Sequence, residues 1–321
     1  MNTDAVLHLK CLLLQLLIFS SAGSPSTELR LLSKMQSEAL FSCLQHNPLQ
    51  IFYGSKTPVA LYARLKWLHQ GETGRWRGDF RESVNALFSG QSANGSWDNS
   101  LLHTIRKLFG LHLTVRQKDE RIEKGLEWLI SQEVFLNEIK ISDARSEKVS
   151  ARDLYNLPFS RGCFDHFAKG AILFLATIFD HKDDSRVTRV YEMLRIMGEK
   201  GDGRWCTWPC SNNIFRAFVV KRQYAESGTI KMYLKRLAEM QNPQGGWPAQ
   251  IPFYQTFNAL GHLDIEESDK MLKRTFPVLR ETQNRDGSWG RRNKEWNTFL
   301  VAHAIKRKGH LLSLGKKQKS P

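Results

Sequence analysis

Two short strings near the middle of this 321-residue chain carry the side chains best suited to chemistry. Cys163-Phe-Asp-His166 and Cys206-Thr-Trp-Pro-Cys210 together supply three thiols and an imidazole. That is the ligand set of a tetrahedral zinc ion. Both strings stand at the starts of predicted helices, where the polarised helix end lowers thiol pKa values. The competing reading is packing, because free cysteine is among the most buried residue types. Five cysteines form no dense framework, which argues against a disulfide-stapled secreted fold. Cys11 and Cys43 stand apart from the motifs.

Other polar residues occupy comparable helix starts: Asp98, His103, Asp165, Asn213 and Tyr254, with Trp296 beside them. Asp98 and Asp165 are the acids of this set and the candidates for acid–base work. His103, Asn213, Tyr254 and Trp296 are candidate ligand contacts. Capping competes at each position, since helix starts favour such residues in any case. The same holds for Asp183-Asp184, which read as caps of the helix beginning near Arg186 rather than as a magnesium–diphosphate site. Aromatic residues near these starts, such as Phe164, Phe167 and Phe299, could stabilise a cation through their ring faces. They could equally form the core between helices.

The elements that must position these residues come from an internal repeat. Gln91–Trp97, Glu199–Trp205, Gln241–Trp247 and Gln283–Trp289 align, and Gln70–Trp76 has the same skeleton. Glycine precedes the tryptophan by two residues in all five copies, and positions 199, 241 and 283 are spaced 42 apart. An amphipathic helix leads into each motif, as Ile122, Leu126 and Leu129 show in one copy. Glycine ends it, tryptophan anchors the turn, and a second helix follows. The stretch from about 137 to 161 replaces one copy. Units of two helices cannot bury their apolar faces alone, so they stack.

The Q-x-x-[D/N]-G-x-W pattern resembles the QW repeat of squalene-hopene cyclases and the related repeats of protein prenyltransferase β subunits. It covers roughly residues 60–309. The resemblance implies an all-α fold, an α/α toroid built from helix hairpins of about 42 residues around a central cavity. An open solenoid of the HEAT or TPR kind is the alternative, but neither uses a G-x-W turn. The segment 57–67 reads as a HEAT-like helix capping one edge. In toroids the inner-helix starts point to the cavity mouth, which is where Cys163, His166, Cys206 and Cys210 would meet around zinc. The resemblance further implies an isoprenoid-type apolar ligand. The D-x-D-D acid motif of the cyclases is absent from the chain, and so is the D-x-C of the prenyltransferase zinc site. A non-catalytic helical-repeat scaffold for a protein or membrane partner is the rival reading.

Composition allows a large soluble core, with 41% hydrophobic residues. Against 32 acidic residues stand 47 Lys and Arg, giving +15. Such a field attracts anionic lipid, diphosphate or nucleic acid. No nucleic-acid recognition motif accompanies it, so that partner is not expected; peripheral membrane contact remains compatible. The apolar run Cys11–Phe19 is too short to span a bilayer. With Ser20 and Ala22 it resembles a secretory signal, the alternative to a cytoplasmic, membrane-associated location. The expected organisation is an N-terminal segment at 1–56, the repeat domain at 57–309 and a basic tail at 310–321.

Overall fold

The computed structural model describes residues 40–312, apart from 72, 116, 140–148, 151 and 153. The signal-like run and nearly all of the basic tail lie outside the described residues. Eleven longer helices follow one another: α1 (Pro58–Lys66), α2 (Gly74–Phe88), α3 (Leu101–Thr114), α4 (Glu120–Ile130), α5 (Phe164–Ile178), α6 (Ser185–Lys200), α7 (Trp208–Phe218), α8 (Gly228–Glu239), α9 (Phe253–Leu260), α10 (Glu266–Glu281) and α11 (Lys294–Leu312). Short helical turns at Pro48–Phe52, Glu133–Leu136 and Arg222–Ala225 accompany them among the described residues. Among the described residues there is no strand, only one isolated bridge between Gln91 and Trp97.

The odd-numbered helices form a closed inner wall. Each packs on the next, α1 on α3, α3 on α5, and so on to α11, which returns to α1. The even-numbered helices lie outside: α2, α4, α6 and α10 pack against this wall, and α8 lies between α6 and α10 with Tyr233 against Phe215 of α7. Sequence explains the division. Helix α5 is apolar almost all round and is buried from His166 to Ala176, as a helix flanked on every side must be. Helix α4 buries only Ile122, Gly125, Leu126, Leu129 and Ile130 and turns its charged face outward. Thr57, Thr73, Ser100, Asp119, Asp184 and Ser227 each cap a following helix through a side-chain oxygen. Asp184 thus serves as a cap, as its position in the sequence implies.

The repeat motif is the joint between hairpins. The indole N–H of Trp97, Trp205, Trp247 and Trp289 donates to a carbonyl near the end of the preceding outer helix, at Ser89, Leu194, Leu237 and Leu279. The glutamine reaches forward instead. Gln91 Nε2 donates to its own turn at Gly95 O (2.8 Å) and to Arg121 O in the next outer helix (2.7 Å). Gln241 does the same with Gly245 and Met271. Glu199 cannot donate and pairs with Arg195.

The fifth string behaves differently. Gly74 opens helix α2 after the cap Thr73, and Trp76 sits in its first turn. Positive φ occurs at Gly95, Gly203, Gly245 and Gly287 but not at Gly74, so Gln70–Trp76 is a helix start and not a repeat turn. Segment 57–67 is also not an edge cap, because α1 stands within the inner wall between α3 and α11. The toroid closes through residues ahead of it. Gln283 Nε2 donates to His46 O (2.9 Å), and His46 N–H returns a bond to Gln283 Oε1 (3.0 Å).

Candidate metal centre and toroid interior

A loop ahead of α5 is pinned to the start of α7. Asn213 accepts from Ser160 N (2.6 Å) and donates to Ser160 O (3.0 Å). Ser160 Oγ donates to Asn212 Oδ1 (3.0 Å), and Asn212 Nδ2 goes on to Thr256 Oγ1 (3.0 Å). Gly162 permits the approach: a Cβ there would stand 2.9 Å from Cys210 Sγ and 3.1 Å from its backbone nitrogen. The first residues of α5 and α7 therefore meet edge to edge.

This juxtaposition assembles the thiols and the imidazole. Ligand atoms of Cys163, His166 and Cys210 all lie within 4.8 Å of one another. Cys210 Sγ accepts from Cys163 N–H (3.2 Å) and from the Thr207 hydroxyl (3.2 Å). Cys206, the fourth residue expected here, is exposed and lies outside this group of three. His166 is 3% exposed. Its Nε2 lies 3.3 Å from Trp205 O, and its Nδ1 is buried without a partner. A carbonyl can only accept, so Nε2 carries the proton and Nδ1 presents a lone pair. That is the arrangement of a metal-bound histidine oriented by a backbone carbonyl. Burial lowers the His166 pKa, which keeps the imidazole neutral and able to ligate.

The thiols differ from expectation. Burial, then the neighbouring Cys210, pushes Cys163 up to about 12, and burial also raises Cys206. Desolvation and mutual repulsion outweigh the helix starts. Cys163 and Cys206 therefore hold their protons until a bound cation displaces them. Donors around tetrahedral zinc, with bonds of about 2.0–2.3 Å, stand roughly 3.3–3.8 Å apart; a contraction of about 1 Å suffices. The donor set fits zinc.

Beyond this centre the interior is aromatic. Phe159 from the pinned loop meets Phe109 (6.3 Å), Phe167 (5.7 Å) and Phe174 (6.2 Å). Phe109 on α3 reaches Trp296 on α11 (5.8 Å), and Trp296, Phe299 and Trp67 stack in series at 5.4 and 5.2 Å. The mouth near the metal centre is thus packed with rings. Where α3 and α5 end and the outer helix α4 begins, a cavity of about 440 Å³ opens between Tyr62, His112, Val115, Ile122, Ile178 and Phe179, with Gln117 and Lys118 beside them. Its rim carries Asp119, Glu123 and Asp180.

No protein-family model and no curated protein matches the sequence. Solved structures do match. The type II terpene cyclase MstE from Scytonema, without ligand, superposes with a TM-score of 0.51 at 12% identity, covering 80% of this chain and 89% of that one. A variant of MstE in complex with geranylgeranyl dihydroxybenzoate gives 0.50 at 14%, covering 80% and 88%. Another variant, without ligand, gives 0.51 at 12%, covering 87% and 97%. This chain has the α/α-toroid fold of the type II terpene cyclases. At such identity the likeness concerns the fold alone.

The remaining candidates take varied places in the toroid. Asp98 and His103 form an exposed pair (2.8 Å), and Asp98 sits at a left-handed turn position after the repeat tryptophan. Asp165 lies half-buried in the first turn of α5, one residue from His166. Asn213 is buried in the Ser160 clamp. Tyr254 is half-buried beside Phe253 (5.4 Å), and Trp296 is 1% exposed within the aromatic stack. Sequence reasoning did not find Tyr62, His112, Ile178 or Phe179. Each stands well along an inner helix or just beyond its end, away from the helix starts where the motifs lie.

Proposed function

We propose that the toroid binds an apolar, isoprenoid-class ligand without transforming it, and that zinc on Cys163, His166 and Cys210, with Cys206 as fourth ligand, anchors the loop that fills the mouth beside it. One observation carries the binding reading: the cavity at the ends of α3 and α5, with its wall of Tyr62, Val115, Ile122, Ile178 and Phe179, has the volume of a small-molecule site, typically about 300–1,000 Å³. Its acids are unsuited to protonating an alkene. Asp119 is paired with Arg121 (2.8 Å), Glu123 with His181 (2.6 Å) and Asp180 with Lys182 (3.5 Å). The Arg121 hydrogen bond holds Asp119 below the usual carboxylate range, the opposite of what a proton donor needs. The complex of MstE with geranylgeranyl dihydroxybenzoate supports the ligand class. Zinc would cross-link the loop to α5 and α7 as a closed structural site.

The test is incubation of the purified chain with farnesol and with geranylgeraniol, followed by native mass spectrometry and product analysis. One intact alcohol per chain is expected. Cyclised product would establish an enzyme, and the absence of any bound alcohol would leave the helical-repeat scaffold as the better account.

A further inference from the structure

The inner helices bring a group of basic side chains toward the toroid axis. Arg216 on α7 is 5% exposed. Its guanidinium donates to Asn258 Oδ1 and lies over the Phe174 ring at 5.6 Å, while its Nε is buried without a partner. Burial alone acts on its protonation and pulls its pKa down to about 9, with no carboxylate offsetting it. His262, just after α9, stacks on His303 of α11 at 5.2 Å, and His262 Nε2 is also buried without a partner.

The groups that act electrostatically on these two imidazoles are Arg216, Arg307 and His112, with Lys306 acting on His303 as well. All are basic. Arg307 Nε donates to Gly261 O (3.1 Å). The acids that follow α9 are engaged elsewhere, since Asp264 and Asp269 both pair with Lys308 (2.8 and 3.1 Å). Burying an unpaired guanidinium is costly, and a partner of opposite charge or an apolar replacement would relieve it. The apolar cavity lies next door. Tyr62 on its wall faces His303 (6.4 Å), and Phe174 stands between cavity-lining His112 (5.9 Å) and Arg216 (5.6 Å).

We propose that Arg216, His262 and His303 form an oxyanion site that receives the carboxylate or phosphate head of an amphiphilic ligand whose apolar part fills the adjacent cavity. The apolar half of this statement rests on the binding function proposed above. Arg216 supplies fixed charge and a free N–H, and His262 supplies a second polar atom. The metal centre is separate: Arg216 follows Cys210 by six residues, about 9 Å of helix.

The experiment is calorimetric titration of the full chain with dodecanol, dodecanoate, dodecyl phosphate and inorganic phosphate, repeated on Arg216→Met and His262→Gln. In the parent, the two dodecyl anions should bind at least tenfold tighter than dodecanol. Both variants should lose that advantage, and Arg216→Met should still fold, because removal of the buried charge offsets the donor lost to Asn258 Oδ1. If Arg216→Met does not fold, His262→Gln carries the comparison. Inorganic phosphate binding as tightly as dodecyl phosphate, and dependent on both residues, would sustain the oxyanion site while removing the apolar-ligand reading. Dodecanol binding as tightly as the anions, or anion affinity unchanged in the variants, would overturn the oxyanion site. Failure of every probe to bind would overturn both.

Discussion

Replacing Gly287 by alanine tests whether the toroid is closed by the segment ahead of α1. Gly287 has φ +80°, and a Cβ there would overlap the Asn47 carbonyl, standing 2.9 Å from its carbon and 3.3 Å from Pro48 Cα. No rotamer relieves a collision between backbones, so the turn and residues 46–48 must separate. Separation breaks the two bonds between Gln283 and His46, about 2 kcal/mol at roughly 1 kcal/mol each. The left-handed alanine adds about 1–2 kcal/mol. The whole effect is about 3–4 kcal/mol. Gly90 provides the control, with φ +78° and nothing within 4 Å of its Cβ; Gly90→Ala should cost only the conformational part, about 1–2 kcal/mol. Urea denaturation followed by circular dichroism measures both. Hydrogen exchange should locate the extra loss in residues 40–52 and α11. Equal destabilisation of the two variants, with unchanged exchange at 40–52, would refute closure through this contact.

Two further predictions concern the metal centre and pH. Protein purified without chelator should contain about one zinc per chain by elemental analysis. Cys163→Ser and Cys210→Ser should lose it, and the cobalt form should show thiolate charge-transfer bands; at metal a thousandfold above its dissociation constant, stability should rise by about 4 kcal/mol. His303 is lowered from 6.5 to about 3 by burial and the neighbouring cations, so the unfolded chain binds its proton first. Stability is full above about pH 6.5 and falls toward pH 3, by no more than about 5 kcal/mol and by about half that once the partial exposure of the ring is discounted. His262→Gln/His303→Gln should flatten this acid limb in urea titrations across pH.

The inner and outer walls were legible in sequence because their joints are chemically specific. Glycine at 95, 203, 245 and 287 supplies the left-handed turn, and tryptophan two residues on returns a hydrogen bond to the helix it follows. Gln70–Trp76 carries the same letters without the same structure. The true copies place Asn94, Asp202, Gln244 or Asp286 before the glycine, and Asn94 and Asp286 accept from the next serine; Thr73 instead caps a helix. Closure through His46 and Asn47 was hidden because that partner lies outside the repeat and contributes only backbone. The meeting of Cys163, His166 and Cys210 could be anticipated because both strings hold equivalent stations in adjacent hairpins. The cavity and the Arg216 group could not, since one depends on how Val115, Asp119 and the start of α4 meet the ends of α3 and α5, and the other on how α7, α9 and α11 face one another.

Binding of a neutral isoprenoid alcohol to the parent and to Ile178→Trp tests the central claim most directly. Ile178 is half-buried at the end of α5 and lines the cavity, so an indole there occupies the ligand's space with little burden on the core. Geranylgeraniol should bind the parent one to one, and Ile178→Trp should bind it at least tenfold more weakly while melting within a few degrees of the parent. Unchanged affinity in a folded Ile178→Trp protein, or no binding by the parent, would contradict the assignment of this cavity as the ligand site.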